Sequence, residues 1–442
     1  MEPAVLFVTL EFLDPIFSGN GTYSRSLVAS LVLDQRFRVH LLCGCGSEAD
    51  DGTDASVRVR HILAKQAPEG ADDWQARVTA TAIPLPTWGR TDKDAAWQEW
   101  ADGAVLGAQQ QRWFPECSHA VVVDWTGFHV LSKLRGAGLI PERVLATALS
   151  FCVYFKTVVS STSPENDAQA FYKEQETAMC LGSSRVLALC RDDADALREM
   201  VAELGAGCDV QMLLPPLRTE MQQLALSAQP RERKFLTCCL RLHRQKNVRT
   251  FVDALQVFVD RHARGPFSWA GTVTPLLCGA AADKEYAAEV HSHFKDVCTK
   301  GAGLFAGCEI SGFVGATQLG EYLSASVLNI HTSLYEAYGL TIIEAAAFGV
   351  PSVVHDGSIG AKELLGVGLP AADIVSADGA GMRAASVVTA DMTDAAALAD
   401  AIDSLLSNPD VRERVALSGK MKALGYGEAE CGRQLAVHIR AL

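Results

Sequence analysis

The 442-residue chain is 49% hydrophobic and 21% charged, and 39 Lys plus Arg against 52 Asp plus Glu leave a formal net charge of −13. At roughly 100–200 residues per domain this length predicts two or three cores. The acidic balance excludes a general nucleic-acid binder and argues against passive adhesion to an anionic lipid surface. Thirteen cysteines, odd in number and without a Cys-x-x-Cys, fall partly inside apolar runs (Cys190, Cys238, Cys239, Cys278). That pattern reads as free thiols in a reducing compartment, with no zinc spacing. Met-Glu-Pro leads straight into apolar Val5–Leu10 without a basic segment, and no apolar run nears the ~18–20 residues that span a bilayer. A soluble, cytoplasmic protein is expected.

Short apolar runs alternate with amphipathic segments along the chain, the signature of βα units around a mostly parallel sheet. In the first half the predicted strands are Val5–Leu10, Arg38–Cys43, Ala120–Asp124, Val144–Leu149, Val186–Cys190 and Asp209–Leu214. The predicted helices are Tyr23–Leu33, Lys93–Gln110, Glu165–Leu181 and Asp192–Leu204. The rhythm restarts after Pro215-Pro216 and the polar stretch Ser227–Arg233. There Phe235–Leu240 reads as a strand, Val248–His262 as a helix, Pro275–Cys278 as a strand and Lys284–Lys295 as a helix. Val327–Ile330 and Ser352–His355 follow as strands, and three helices (Asp394–Leu406, Val411–Leu424, Glu428–Arg440) close the chain. The restart predicts an α/β fold of two Rossmann-like domains. The expected division is 1–225, 226–425 and a final helix, 426–442, packing back on the first domain. Ligands of such sheets bind beyond the carboxyl ends of the strands, which puts the expected site in a cleft between facing domains.

Four segments carry candidate chemistry. Gly19-Asn20-Gly21-Thr22 follows the first strand and opens the first helix, where glycines and free helix N–H groups admit an anion; a tight βα turn explains it equally. Ser24 replaces the third glycine of a dinucleotide fingerprint, which disfavours an NAD role. Arg241 and Lys246, five residues apart after a strand, can both reach one diphosphate, against the alternative of a solvated basic loop. Glu336, in Ser333-Leu-Tyr-Glu-Ala-Tyr338-Gly339-Leu340-Thr341-Ile-Ile-Glu344, lies after a strand and has no local capping job. Glu344 does, because Thr341-x-x-Glu344 is also the spacing of a capping box, so cap and ligand readings both stand. Asp124 and His129, near a strand end, can bind an acceptor or move a proton, or be structural. Asp192, Asp193 and Asp195 open a helix, where acidic residues complement the dipole.

Glu336 and Glu344, separated by seven residues within this segment, resemble the signature of glycosyltransferase family 4, retaining enzymes of GT-B architecture. Arg241-Leu-His-Arg-Gln-Lys246, Ile310-Ser-Gly312-Phe313-Val314 and Gly19-Asn-Gly21 match further family segments in order. The resemblance implies catalytic roles for Arg241, Lys246 and Glu336. It implies donor contacts from Gly19, Gly21, Gly312, Phe313, Val314, Tyr338, Gly339, Leu340, Thr341 and Glu344. Asp124, His129 and Ser150 are the acceptor-side candidates; Ser150 stands where many relatives carry a histidine. The implied reaction moves a hexosyl group from a UDP- or GDP-sugar co-substrate to an acceptor hydroxyl, with no metal and no resident cofactor. Two other readings remain: a non-catalytic sugar-nucleotide-binding protein or partner subunit, and a sugar-nucleotide epimerase of the same fold.

Residues 1–225 carry 19 basic and 29 acidic residues, and residues 226–442 carry 20 and 23, or −10 and −3. Seven of the latter basic residues lie between Arg231 and Arg249. An acidic acceptor half favours a neutral, soluble acceptor over a polyanion.

Overall fold

The computed structural model describes residues 3–14, 16, 19–46, 53–67, 73–85, 96–111, 117–151, 167–357, 359–366, 368–376 and 385–442. The chain divides into two compact units, Met1–Pro216 with Glu428–Leu442, and Leu217–Gly427.

The first unit is built on β1 (Ala4–Thr9), β2 (Arg38–Gly46), β3 (Val78–Leu85), β4 (His119–Val123), β5 (Leu145–Ser150), β6 (Arg185–Ala188) and β7 (Asp209–Met212). They form one parallel sheet in the order β3-β2-β1-β4-β5-β6-β7. Every residue of β1 is buried, so its run AVLFVT shows no alternation, as expected of a strand covered on both faces. β3 was not anticipated, because VTATAIPL mixes Thr and Pro and lies at a sheet edge where most residues are only half buried.

The expected strand Ala120–Asp124 stops at Val123. Asp124 takes φ 60° and opens the helix Asp124–Gly136, which sequence reasoning missed. That helix lies close on β1: a Cβ on Gly127 would sit 2.9 Å from the Val8 carbonyl oxygen. The terminal helix Glu428–Arg440 belongs to this unit and packs on Gly19–Leu33. Ser26 Oγ donates to Glu428 Oε1 at 2.5 Å, and Arg185 Nη1 donates to the His438 carbonyl. Gly432 permits the approach, since a Cβ there would fall 1.9 Å from Ser30 Oγ.

The second unit has β8 (Phe235–Cys239), β9 (Thr274–Cys278), β10 (Glu309–Ser311), β11 (Ser326–His331), β12 (Ser352–His355), β13 (Leu369–Pro370) and β14 (Val388–Ala390). Their order is β10-β9-β8-β11-β12-β14-β13, again parallel throughout. Its boundary falls nine residues before the expected one: helix Thr219–Ser227 packs on the helices Ala316–Ser324 and Leu340–Ala347 and so joins this unit. The main core gathers Phe251, Leu255 and Phe258 of helix Val248–His262 with Phe294 and the Leu398, Ile402, Leu405 face of helix Ala395–Ser407. The strand order switches at β1/β4 in the first sheet and at β8/β11 in the second. Loops leaving the carboxyl ends of strands at such a switch point are where α/β folds hold ligands.

Candidate active site

In the second unit the β8/β11 switch point brings together two segments singled out from the sequence. The loop after β8 carries Arg241 and Lys246, and the loop after β11 carries Glu336. Lys246 Nζ donates to Glu336 Oε2 at 2.5 Å, and His331 Nε2, at the end of β11, lies 3.5 Å from the same oxygen. Burial alone would raise the Glu336 carboxyl. The Lys246 charge, the nearby His331 ring, the Lys246 hydrogen bond and Arg241 outweigh it and hold the group below the usual glutamate range. Glu336 is therefore an anion at neutral pH, shielded from water to 18% side-chain exposure. Arg241 is exposed, and no hydrogen bond or ion pair engages its guanidinium among the described residues. One cation is committed to a carboxylate and the other is free to meet an anion.

The loop positions are set by backbone as much as by side chains. Asn247 takes φ 50° and donates from Nδ2 to the Met392 carbonyl at 2.8 Å, closing the short turn Arg244–Lys246. Thr332 Oγ1 donates to the Lys246 carbonyl at 2.8 Å, tying the β8 loop to the β11 loop. Gly279, at φ 150°, lets the β9 end pass Leu240: a Cβ there would lie 1.8 Å from the Leu240 carbonyl oxygen. Gly360 fits against the Glu336 loop for the same reason, with an added Cβ 2.0 Å from the Ala337 oxygen.

Gly339, at φ 91°, is the N-cap of helix Leu340–Ala347, so Thr341 sits inside the first turn. The capping-box reading of Thr341 and Glu344 is thereby corrected: the cap lies two residues earlier and has no side-chain hydrogen bond. Glu344 instead pairs with Arg218, whose Nε and Nη2 both donate to Oε1, at 2.8 and 2.6 Å. No signal in the sequence marks Arg218; 126 positions separate the partners. Glu344 is 4% exposed, and its Oε2 is left outside the pairing. The amides of Leu340 and Thr341 have no intrahelical acceptor and form an anion-receiving end. Tyr338 is buried beside them. Beyond β10, Gly312, Phe313 and Val314 lead through a bend toward the helix Ala316–Ser324; Phe313 is 75% exposed, an open aromatic face.

The remaining candidates belong to the first unit. Gly19 opens the helix Gly19–Leu33, and Gly21 is buried, with space for no Cβ: Ile16 Cγ2 and Glu11 Cβ lie 2.9 and 3.0 Å from where one would be. Phe17 and Ser18 lie outside the described residues. Asp124 and Ser150 come together at the ends of the adjacent strands β4 and β5, since the Asp124 carboxylate accepts from the N–H of Trp125 at 3.0 Å and from that of Phe151. Ser150 is fully buried. His129 packs edge-on against Trp97, ring centroids 4.3 Å apart, and its Nε2 has no partner among the described residues.

Burial pushes the Asp124 pKa up to about 7, against those two N–H groups. Sequence reasoning missed Glu176, which is 1% exposed and raised well above the glutamate range by burial and then by Asp124 and Asp193. A carboxyl whose folded pKa exceeds its unfolded value stabilises the fold where it is protonated, and loses that contribution as pH rises through the folded value. The contribution of Asp124 and Glu176 to stability should therefore fall between about pH 4 and pH 7, while His40 and His331, held neutral by burial with pKa values of about 4, contribute in the opposite sense. Asp124→Asn, which tolerates the left-handed backbone, should shift the slope of the Tm–pH curve toward more positive values over that window; an unchanged slope would rule Asp124 out as a contributor.

Among the described residues no helix is long and apolar enough to cross a membrane. Residues 223–421 match the family described as glycosyl transferases group 1. The chain carries a glycosyltransferase group 1 domain. That domain contains Arg241, Lys246, Glu336 and Glu344, all within the matched span. Among solved structures the chain resembles sucrose-phosphate synthase from Thermosynechococcus elongatus, with 15% identity, TM-score 0.71, and 100% and 99% of the two chains covered. It also resembles the Anabaena HepE protein in complex with UDP and glucose, with 16% identity, TM-score 0.64 and both chains covered fully. A third is the α,α-trehalose-phosphate synthase (UDP-forming) of Burkholderia xenovorans in complex with glucose-6-phosphate, with 12% identity, TM-score 0.68 and full coverage of both. At these identities the likeness is one of fold, two parallel-sheet α/β units of seven strands each, the GT-B architecture. No curated protein sequence matches the chain.

Proposed function

We propose that the protein is a retaining, metal-independent hexosyltransferase that uses a UDP- or GDP-sugar. The observation that carries this reading is the Lys246–Glu336 pair at the switch point of a glycosyltransferase group 1 domain, with Arg241 free beside it. The chemical problem is charge. As the glycosidic bond to the diphosphate breaks, negative charge grows on the leaving phosphate and positive charge on the anomeric carbon. The amides of Leu340 and Thr341 are fixed donors for the first, and the Arg241 and Lys246 cations add their charge. Glu336, kept ionised, holds the donor sugar hydroxyls, and Glu344 Oε2 accepts from the ribose hydroxyls while Arg218 occupies Oε1. Gly312, Phe313 and Val314 border the nucleobase. The family resemblance assigns Gly19 and Gly21 to the donor and Asp124, His129 and Ser150 to the acceptor. The departing phosphate takes the acceptor proton, so no separate base is required.

The test is nucleoside-diphosphate release from UDP- and GDP-sugars, with neutral sugars and glucose-6-phosphate offered as acceptors. The sugar phosphate is included because a resembling structure contains it. Wild-type protein is expected to release the diphosphate in an acceptor-dependent manner. Glu336→Ala should lose transfer while keeping nucleotide affinity; loss of both would show that Glu336 does not act on the sugar.

Ser150, fully buried at the end of β5, stands where the resemblance places a histidine in many family members, and this favours the non-catalytic reading as the competitor. Binding of nucleotide sugar without any turnover or hydrolysis would decide for it. Conversion of the donor alone into an epimer would decide for the epimerase.

A further inference from the structure

Glu336 Oε2 is shared by two side chains from different loops. Lys246 reaches it at 2.5 Å, while His331, 2% exposed at the end of β11, stands 3.5 Å away at Nε2. The His331 ring has nothing else to hold: Nδ1 is buried and without a partner among the described residues. Lys246, by contrast, has a second use. Its backbone is pinned by the Thr332 hydroxyl, so an anion arriving beside Arg241 can draw the ammonium away while the loop stays in place. A largely buried carboxylate would then lose its closest cation.

We propose that His331 positions Glu336 in that state, donating from Nε2 to the carboxylate oxygen that Lys246 vacates. That contact is longer than a good hydrogen bond, and a shift of under about 1 Å closes it. The alternative tautomer would set a lone pair of Nε2 against the carboxylate, leaving the repulsion buried and Nδ1–H unsatisfied. Under the glycosyltransferase reading, on which this inference builds, the anion is the donor diphosphate, and His331 keeps Glu336 aligned with the sugar during its departure. His331 is thus a positioning residue and touches no substrate.

The charged groups acting on the ring are Glu336, from the loop after β11, and Lys246, from the loop after β8. Burial holds the ring neutral, with a pKa of about 4; Glu336 pulls upward and Lys246 downward. Removing Lys246 therefore mimics its withdrawal. NMR of the full chain labelled with ¹⁵N-histidine, without ligand, reads the outcome directly, with the His331 signals assigned by their loss in His331→Gln. The wild-type ring should be the Nε2–H tautomer. Lys246→Met should raise its pKa by about one unit or more, and Lys246→Met/Glu336→Gln should cancel the rise. An Nδ1–H tautomer, or a pKa that ignores Lys246→Met, overturns the proposal.

A kinetic arm separates positioning from support of the fold. With a donor that turns over, His331→Leu should lower kcat about tenfold with nucleoside-diphosphate affinity unchanged, and His331→Gln should recover most of it. Equal losses in both variants would also overturn the proposal. If no donor turns over, the glycosyltransferase reading fails, while the NMR result still decides the role of His331.

Discussion

Alanine at Arg241 or Lys246 is expected to lower donor turnover about 10²–10³-fold, the cost of about 3–4 kcal/mol that follows loss of one preorganised donor to a developing oxyanion. The two variants should differ in everything else. Arg241 is exposed and makes no hydrogen bond or ion pair among the described residues, so Arg241→Ala should leave the melting temperature nearly unchanged. Lys246 holds a carboxylate that burial would otherwise push toward protonation. Lys246→Ala should therefore raise the Glu336 pKa and make the melting temperature sensitive to pH in the carboxylate range, because part of the anion's compensation is gone. Steady-state kinetics with thermal melts at several pH values measure both effects. Wild-type turnover in both variants would remove the diphosphate from this loop.

Arg218→Ala should be the most destabilising single change around the site. Glu344 is 4% exposed and receives both Arg218 donors on one oxygen. Removing the guanidinium strands a buried carboxylate, a loss of about 3 kcal/mol, or roughly 6–12 °C in Tm for a unit of this size. The penalty comes from the unpaired charge rather than from the worth of the pair. Replacing both partners by apolar groups, Arg218→Leu with Glu344→Leu, should therefore recover much of the stability while abolishing donor binding. If the double variant is less stable than Arg218→Ala, the pair itself stabilises the fold and the stranded charge is not the cause.

The sequence carries those parts of the site whose chemistry is local. Arg241, Lys246 and Glu336 each follow a buried, unalternating strand, and the position after such a strand is what gives a polar residue its meaning in an α/β fold. Their meeting across β8 and β11 follows once the strand order reverses there. Pairings across distant loops have no such trace. Arg218 looks like any basic residue after Pro215-Pro216, and the spacing of Thr341 and Glu344 imitates a cap that Gly339 provides instead. His331 reads as the last residue of a strand; only the fold places its Nε2 on Glu336. Asp124 was legible as a strand-end carboxylate. Its left-handed backbone, the Phe151 amide on its carboxylate and the buried Glu176 acting with it have no local signature. The helix Asp124–Gly136 escaped because it begins on the residue directly after β4, with no loop to mark its start. The edge strand β3 escaped because half-buried residues need not be apolar.

The central claim is that the cations after β8 receive the diphosphate of a sugar nucleotide. Thermal shift with UDP, GDP, ADP and their sugars, on wild-type protein and on Arg241→Ala/Lys246→Ala, tests it most directly. One nucleotide series should stabilise the wild type, by about 2.7 kcal/mol at 100 times its dissociation constant, and should fail to stabilise the double variant. Equal stabilisation of both proteins, or none of the wild type by any nucleotide, would contradict the account.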